Sequence, residues 1–119
     1  MRKTDEELSC IEPVILAYLA GIIDGEGCVA YQNDGMGHRR FEMAVKMTDK
    51  GTIYLLQQVF GGHIAYVKAK LKRKETWRWR VSSRTACRVY HQIEKYLRIK
   101  RQLTPPQPRR FSHDNIQTK

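Results

Sequence analysis

The chain has 119 residues, and its 22 Lys+Arg against 12 Asp+Glu give a formal net charge of +10. That length supports one domain with a modest core. The longest apolar run, Val14 to Ile23, is too short for the roughly 20 residues that span a bilayer. Cys10, Cys28 and Cys87 are odd in number and far apart, which excludes a readable disulfide framework or a CxxC zinc pair. His38, His63, His91 and His113 show no ligand spacing either. An intracellular protein, neither secreted nor membrane-bound, is expected.

The charge is segregated. Residues 1–61 hold 6 basic and 9 acidic side chains, whereas residues 62–110 hold 15 basic and 2 acidic. Such asymmetry exceeds what solubility requires and favours a polyanionic partner, through attraction and counterion release.

In chain order, residues 1–12 are polar and read as a loose arm or first turn. Pro13 suits the first turn of a helix, where its missing N–H costs nothing. The apolar run predicts that helix from about Pro13 to Asp24, broken by Gly25 and Gly27. Ala17, Gly21 and Gly25 recur every fourth position and share one helix face. A helix-interior Gly costs about 1 kcal/mol relative to Ala, so Gly21 requires a reason, and close approach of a second helix supplies one.

From Cys28 the period becomes two. Val29 and Tyr31 alternate with Ala30 and Gln32; a turn follows at 33–37; then Phe41, Met43, Val45 and Met47 alternate with Arg40, Glu42, Ala44 and Lys46. Thr48 or Asp49 caps a helix from about Lys50 to Phe60, which Gly61-Gly62 stops. In a second hairpin, Ala65, Val67, Ala69 and Leu71 are read as one face and Tyr66, Lys68, Lys70 and Lys72 as the other. Trp77, Trp79 and Val81 point inward in its second strand, with Arg78, Arg80 and Ser82 outward. This alternation with Arg favours core packing over base stacking for both tryptophans. Ser83 is read as the cap of a last helix that buries Ala86, Val89, Tyr90, Ile93 and Leu97. The tail from Thr104 is polar and is expected to be mobile.

The order is therefore α-β-β-α-β-β-α, an α+β plan with antiparallel strands. A β-ribbon fits the major groove of DNA, and Arg, Lys and Gln suit phosphates and base edges. The candidate nucleic-acid contacts are Gln32, Arg40, Lys46, Tyr66, Lys68, Lys70, Arg78 and Arg80.

Residues 19–27 read LAGIIDGEG. This stretch resembles the signature of the LAGLIDADG homing endonucleases, with conservative changes only, and the plan above is the family's; the resemblance covers about residues 13–103. It implies a saddle-shaped DNA-binding sheet and a motif helix packed against its twin across a two-fold axis, with Ala17, Gly21, Asp24 and Gly25 at that interface. It assigns Glu26 as the acid that binds Mg²⁺, or another divalent cation such as Mn²⁺, with the Gly25 carbonyl also directed at the metal. Carboxylate oxygens suit Mg²⁺, and phosphodiester cleavage needs such a cation to activate water and offset charge. Asp24 takes a structural role at the helix end.

Asp49 stands where the family places a polar residue that orients water; an N-cap role fits equally and is compatible. Lys100 matches the family's basic residue after the last helix, with phosphate contact as the equal alternative. Gln102 is a weaker neighbour. A basic residue early in the second helix is missing, since that region reads Gly51-Thr52-Ile53. The implied activity is Mg²⁺-dependent double-strand cleavage of a long pseudo-palindromic DNA site by a homodimer, in the service of intron or intein mobility. The alternative is a non-catalytic relative, an RNA-splicing maturase or a DNA-binding regulator. A module bound to acidic membranes leaves the small-residue helix unexplained.

Overall fold

The computed structural model describes residues 3, 5–33 and 35–102. Its elements are α1 (Asp5–Ser9), α2 (Pro13–Glu26), β1 (Gly27–Asn33), β2 (Arg39–Met47), α3 (Lys50–Phe60), β3 (His63–Val67), β4 (Thr76–Ser82) and α4 (Ser83–Ile93), followed by a 3₁₀ turn at Glu94–Tyr96. The strands form one antiparallel sheet in the order β1-β2-β4-β3. The helices pack on one of its faces and leave the other open.

The alternation in β1, β2 and β4 explains this layering. Register sets Val29 opposite Met43, Met43 opposite Val81, and Val45 opposite Trp79, so these side chains share the helix side. They meet Leu19, Ala20 and Ile23 of α2, Ile53, Leu56 and Phe60 of α3, and Val89, Tyr90 and Ile93 of α4 in one core. Trp79 is fully buried, and its Nε1–H donates to the Gly61 carbonyl at 2.7 Å, so the indole enters the core with its polar atom satisfied. Both tryptophans stand on the helix side, as their alternation with arginine indicates.

Four expectations are corrected. Asp5–Ser9 do not belong to a loose arm: they form α1, which docks on α4, and Leu8 is completely buried. A single leucine among polar residues carries no period from which to read this. The cap expected at Ser83 falls on Ser82, whose side chain makes no capping hydrogen bond.

The faces of β3 are reversed. Tyr66 pairs with Trp77 on the helix side, ring centroids 5.6 Å apart, while Ala65 stands opposite Arg78 on the open face. β3 is a short edge strand, exposed or half-exposed along its length, so its own alternation did not determine register. The aromatic pair and the Gly61-Gly62 turn did. The strand also stops at Val67, which leaves Lys68 and Lys70 in the connection to β4. The expectation for the tail from Thr104 falls outside the described residues.

Gly62 is the tightest point of that turn. Its φ is +105°, and a Cβ there would lie 2.7 Å from Val81 Cγ1 and 2.9 Å from the Arg80 carbonyl. Gly62→Ala is expected to destabilise the fold by about 2–4 kcal/mol, combining left-handed strain with overpacking. Urea unfolding tests this; an unchanged midpoint would refute the assigned turn geometry.

Candidate active site

The site is built at the C-terminal end of α2. The helix runs without a break into β1, and Gly27 permits that junction. A Cβ on Gly27 would lie 2.8 Å from the Ile23 carbonyl and 3.0 Å from that of Ala44. Only a residue without a side chain lets β2 approach so closely here. Glu26, the last helical residue, therefore sits at a fixed helix–strand corner, with its side chain exposed and Gly25 beside it also open to solvent.

Asp24 ties a distant segment to this corner. Its Oδ2 accepts the Arg98 N–H at 2.7 Å, and its Oδ1 accepts those of Ile99 at 3.1 Å and Lys100 at 2.8 Å. Lys100 Nζ in turn donates to the Asp24 carbonyl at 2.6 Å. A cation at the last carbonyls of a helix is also favoured by the helix dipole. Gln102 continues the seam. Its backbone N–H donates to Tyr90 Oη at 2.7 Å, and its Nε2 donates to the Lys100 carbonyl at 3.3 Å and the Val29 carbonyl at 3.5 Å. The structure thus brings Lys100 and Gln102 to the end of the motif helix. It engages the Asp24 carboxylate within the chain.

The other residues expected at an interface are bare. Val14 is 71 % exposed and Tyr18 55 %, and Ala17, Gly21 and Gly25 line the same side. Nothing lies within 4 Å of a Cβ built on Gly21 or Gly25.

Asp49 stands two residues beyond β2, at the sheet end where β1 begins beside Glu26. It is the N-cap of α3: its carboxylate accepts the Thr52 N–H at 3.3 Å and a short hydrogen bond from the Thr52 hydroxyl. Ile53 is fully buried and Thr52 is held by Asp49, so neither position gives a cation to the corner. The Lys50 ammonium lies over the rings of Tyr54 and Trp77 at 5.5 and 5.8 Å.

On the open face, register aligns Gln32 with Arg40, Lys46 with Arg78, and Ala44 with Arg80. His63 extends the Arg80 row, a position that only the observed register reveals. Glu42 is an acid within this basic field. Tyr66, expected here, lies on the opposite face and donates its hydroxyl to Glu75 at 2.8 Å.

The Asp24 carboxyl is pulled two ways. Partial burial raises its pKa, but the N–H groups of Arg98, Lys100 and Ile99, with the Lys100 charge, outweigh burial and hold it below the ordinary carboxylate value. Its contribution to stability is complete above the unfolded value of about 3.9 and is lost as pH falls through the lower folded value. Asp24→Asn is expected to cost about 1–2 kcal/mol at neutral pH, discounted for exposure, and to flatten the acid limb below about pH 4. Urea midpoints across pH measure both; an unaltered acid limb would contradict the clamp.

A family described as LAGLIDADG endonuclease matches residues 19–104. No curated protein matches. Among solved structures, the homing endonuclease I-CvuI in complex with the I-CreI target superposes with TM-score 0.60 and 19 % identity, over 74 % of this chain and 59 % of that one. I-CvuI with its own target gives TM-score 0.60 and 17 % identity, over 82 % and 62 %. An archaeal intron-encoded homing endonuclease complexed with DNA gives 0.59 and 14 %, over 77 % and 63 %. The chain spans about three-fifths of the length of these proteins, and at such identities the likeness establishes the fold. With the family match extending over most of the chain, from the motif helix through the Asp24 clamp, the protein is a member of the LAGLIDADG endonuclease family.

Proposed function

We propose that this chain is a site-specific endonuclease that acts on double-stranded DNA as a homodimer and cuts both strands with a divalent cation. The observation that carries this reading is the bare small-residue face of α2, which leads directly into an exposed acid. Two copies joined along Ala17, Gly21 and Gly25 would set two Glu26 carboxylates side by side, one for each strand. A two-fold protein suits a pseudo-palindromic target.

The residues fit a hard cation. Glu26 offers carboxylate oxygens and Gly25 a carbonyl, and Mg²⁺ accepts such ligands while retaining waters and substrate phosphate oxygens. Among the described residues no group of three His, Cys, Asp or Glu gathers, so one chain supplies a sparse ligand set and the rest comes from water, substrate and the second copy. The cation supplies Lewis acidity and an activated water. Lys100, tethered to the Asp24 carbonyl, stands ready to offset charge on the cleaved phosphate. Asp49 keeps an exposed carboxylate at the same sheet end, for hydrogen bonding to water.

Gln32, Arg40, Lys46, Arg78 and Arg80 form the base- and phosphate-reading face. Lys68 and Lys70 extend the positive field beyond the sheet. Similarity to solved homing endonuclease–DNA complexes supports the duplex as partner.

One observation favours a second reading, a maturase or DNA-binding regulator without cutting. Gly51, Thr52 and Ile53 in the first turn of α3 carry no cation, and the Lys50 ammonium is engaged over the rings of Tyr54 and Trp77. Cleavage of a randomised duplex library with Mg²⁺ separates the two. The proposed activity predicts defined double-strand cuts by the natural protein. Glu26→Gln should lose them by at least about a hundredfold, the scale of losing an essential electrostatic group, with binding retained. Specific binding without cuts, equal in both proteins, would establish the second reading, and preference for RNA would mark the maturase.

A further inference from the structure

The connection from β3 to β4 concentrates charge. Lys68, Lys70, Lys72, Arg73 and Lys74 fall within it, against the single acid Glu75. Its tip is a tight turn: Lys70 and Arg73 form a bridge, and the Arg73 N–H donates to the Lys70 carbonyl at 2.7 Å. Leu71 occupies the second position of that turn with φ +47° and is completely exposed.

Both features are unfavourable for leucine. A left-handed φ at this position normally selects Gly, and an apolar side chain at a basic tip gains no burial within the chain. Strain and exposure that the fold does not compensate point to a role outside it. Register locates the tip. Trp77 pairs with Met47 on one side and Tyr66 on the other, so the connection projects past the sheet at the end where Glu26 and Asp49 stand.

We propose that Leu71 is a wedge that enters between neighbouring base pairs of duplex DNA, while Lys70, Lys72, Arg73 and Lys74 hold the flanking phosphates. Resting on the DNA reading above, this adds a distortion of the substrate near the acid end of the sheet. A duplex offers the complementary chemistry, an apolar stack between two anionic rails, and insertion of leucine unstacks a step and kinks the helix. Pyrimidine–purine steps such as TA yield most easily. A lipid surface is the weaker fit. One leucine supplies little area for membrane binding, and the positive field runs from the tip onto the open strand face of Arg78 and Lys46 rather than ending at a rim.

The test uses the full chain and short TA-rich duplexes with 2-aminopurine in place of adenine at the TA steps. Wild type at saturation should raise the fluorescence about twofold or more, as unstacking does. Leu71→Gly keeps every cation and relieves the φ, so it should remain folded with an equal or higher melting temperature, bind within about tenfold, and lose the fluorescence rise. Lys72→Ala should instead weaken binding on all sequences, lower the salt slope by about one, and keep the rise at saturation. A rise that survives in Leu71→Gly, or wild-type binding without a rise, overturns the wedge and leaves the DNA reading standing. Failure of wild type to bind any duplex removes both. Binding to phosphatidylserine vesicles that depends on Leu71, with DNA unaffected, assigns the tip to membranes instead.

Discussion

Helix α2 must satisfy two apolar surfaces at once. Leu16, Leu19, Ala20 and Ile23 face the core of their own chain, while Val14, Ala17, Tyr18, Gly21 and Gly25 face outward. A helix that is apolar all round belongs inside a protein, yet half of this one is uncovered. Gly21 sharpens the constraint. It weakens the helix by about 1 kcal/mol, and no neighbour within the chain exploits the space it leaves. A second helix approaching along that face resolves both facts. Under the proposed pairing of two copies, whatever stands at the last turn of this helix is carried to the two-fold axis.

The last turn is correspondingly over-determined. Gly27 lets the strand begin without a loop, and Asp24 gathers the N–H groups of residues 98–100. Tyr90 and Gln102 extend that seam to β1. Glu26 consequently has little backbone freedom while its carboxylate stays in solvent. A metal-binding acid needs that combination: a rigid support and an open coordination sphere.

Legibility in the sequence tracked burial. β2 could be read residue by residue, because Phe41, Met43 and Val45 are buried while Arg40 and Lys46 are not. β3 could not, since it is an edge strand exposed or half-exposed throughout and its register answers to Trp77 and the Gly61-Gly62 turn. α1 escaped notice because Leu8 alone carries its packing. Glu26 and Lys100 became candidates through the motif and its family rather than through period or spacing. The bond that brings Lys100 to Asp24 spans 76 positions, and no local pattern encodes a contact of that range. Asp49 shows the opposite case: position narrowed the cap to Thr48 or Asp49, and the hydrogen bonds to Thr52 assign it to Asp49.

The account stands on the shared helix, so the most direct measurement is the mass of the particle in solution. Sedimentation equilibrium should find natural chains of 14.0 kDa associated as a two-chain particle. Gly21→Leu should retain its fold by circular dichroism and sediment as single chains, because position 21 is exposed with nothing within 4 Å of a Cβ there, and the added side chain would hold two helices apart. A monomeric natural protein, or a dimer indifferent to Leu at position 21, would contradict the claim that this face joins two copies.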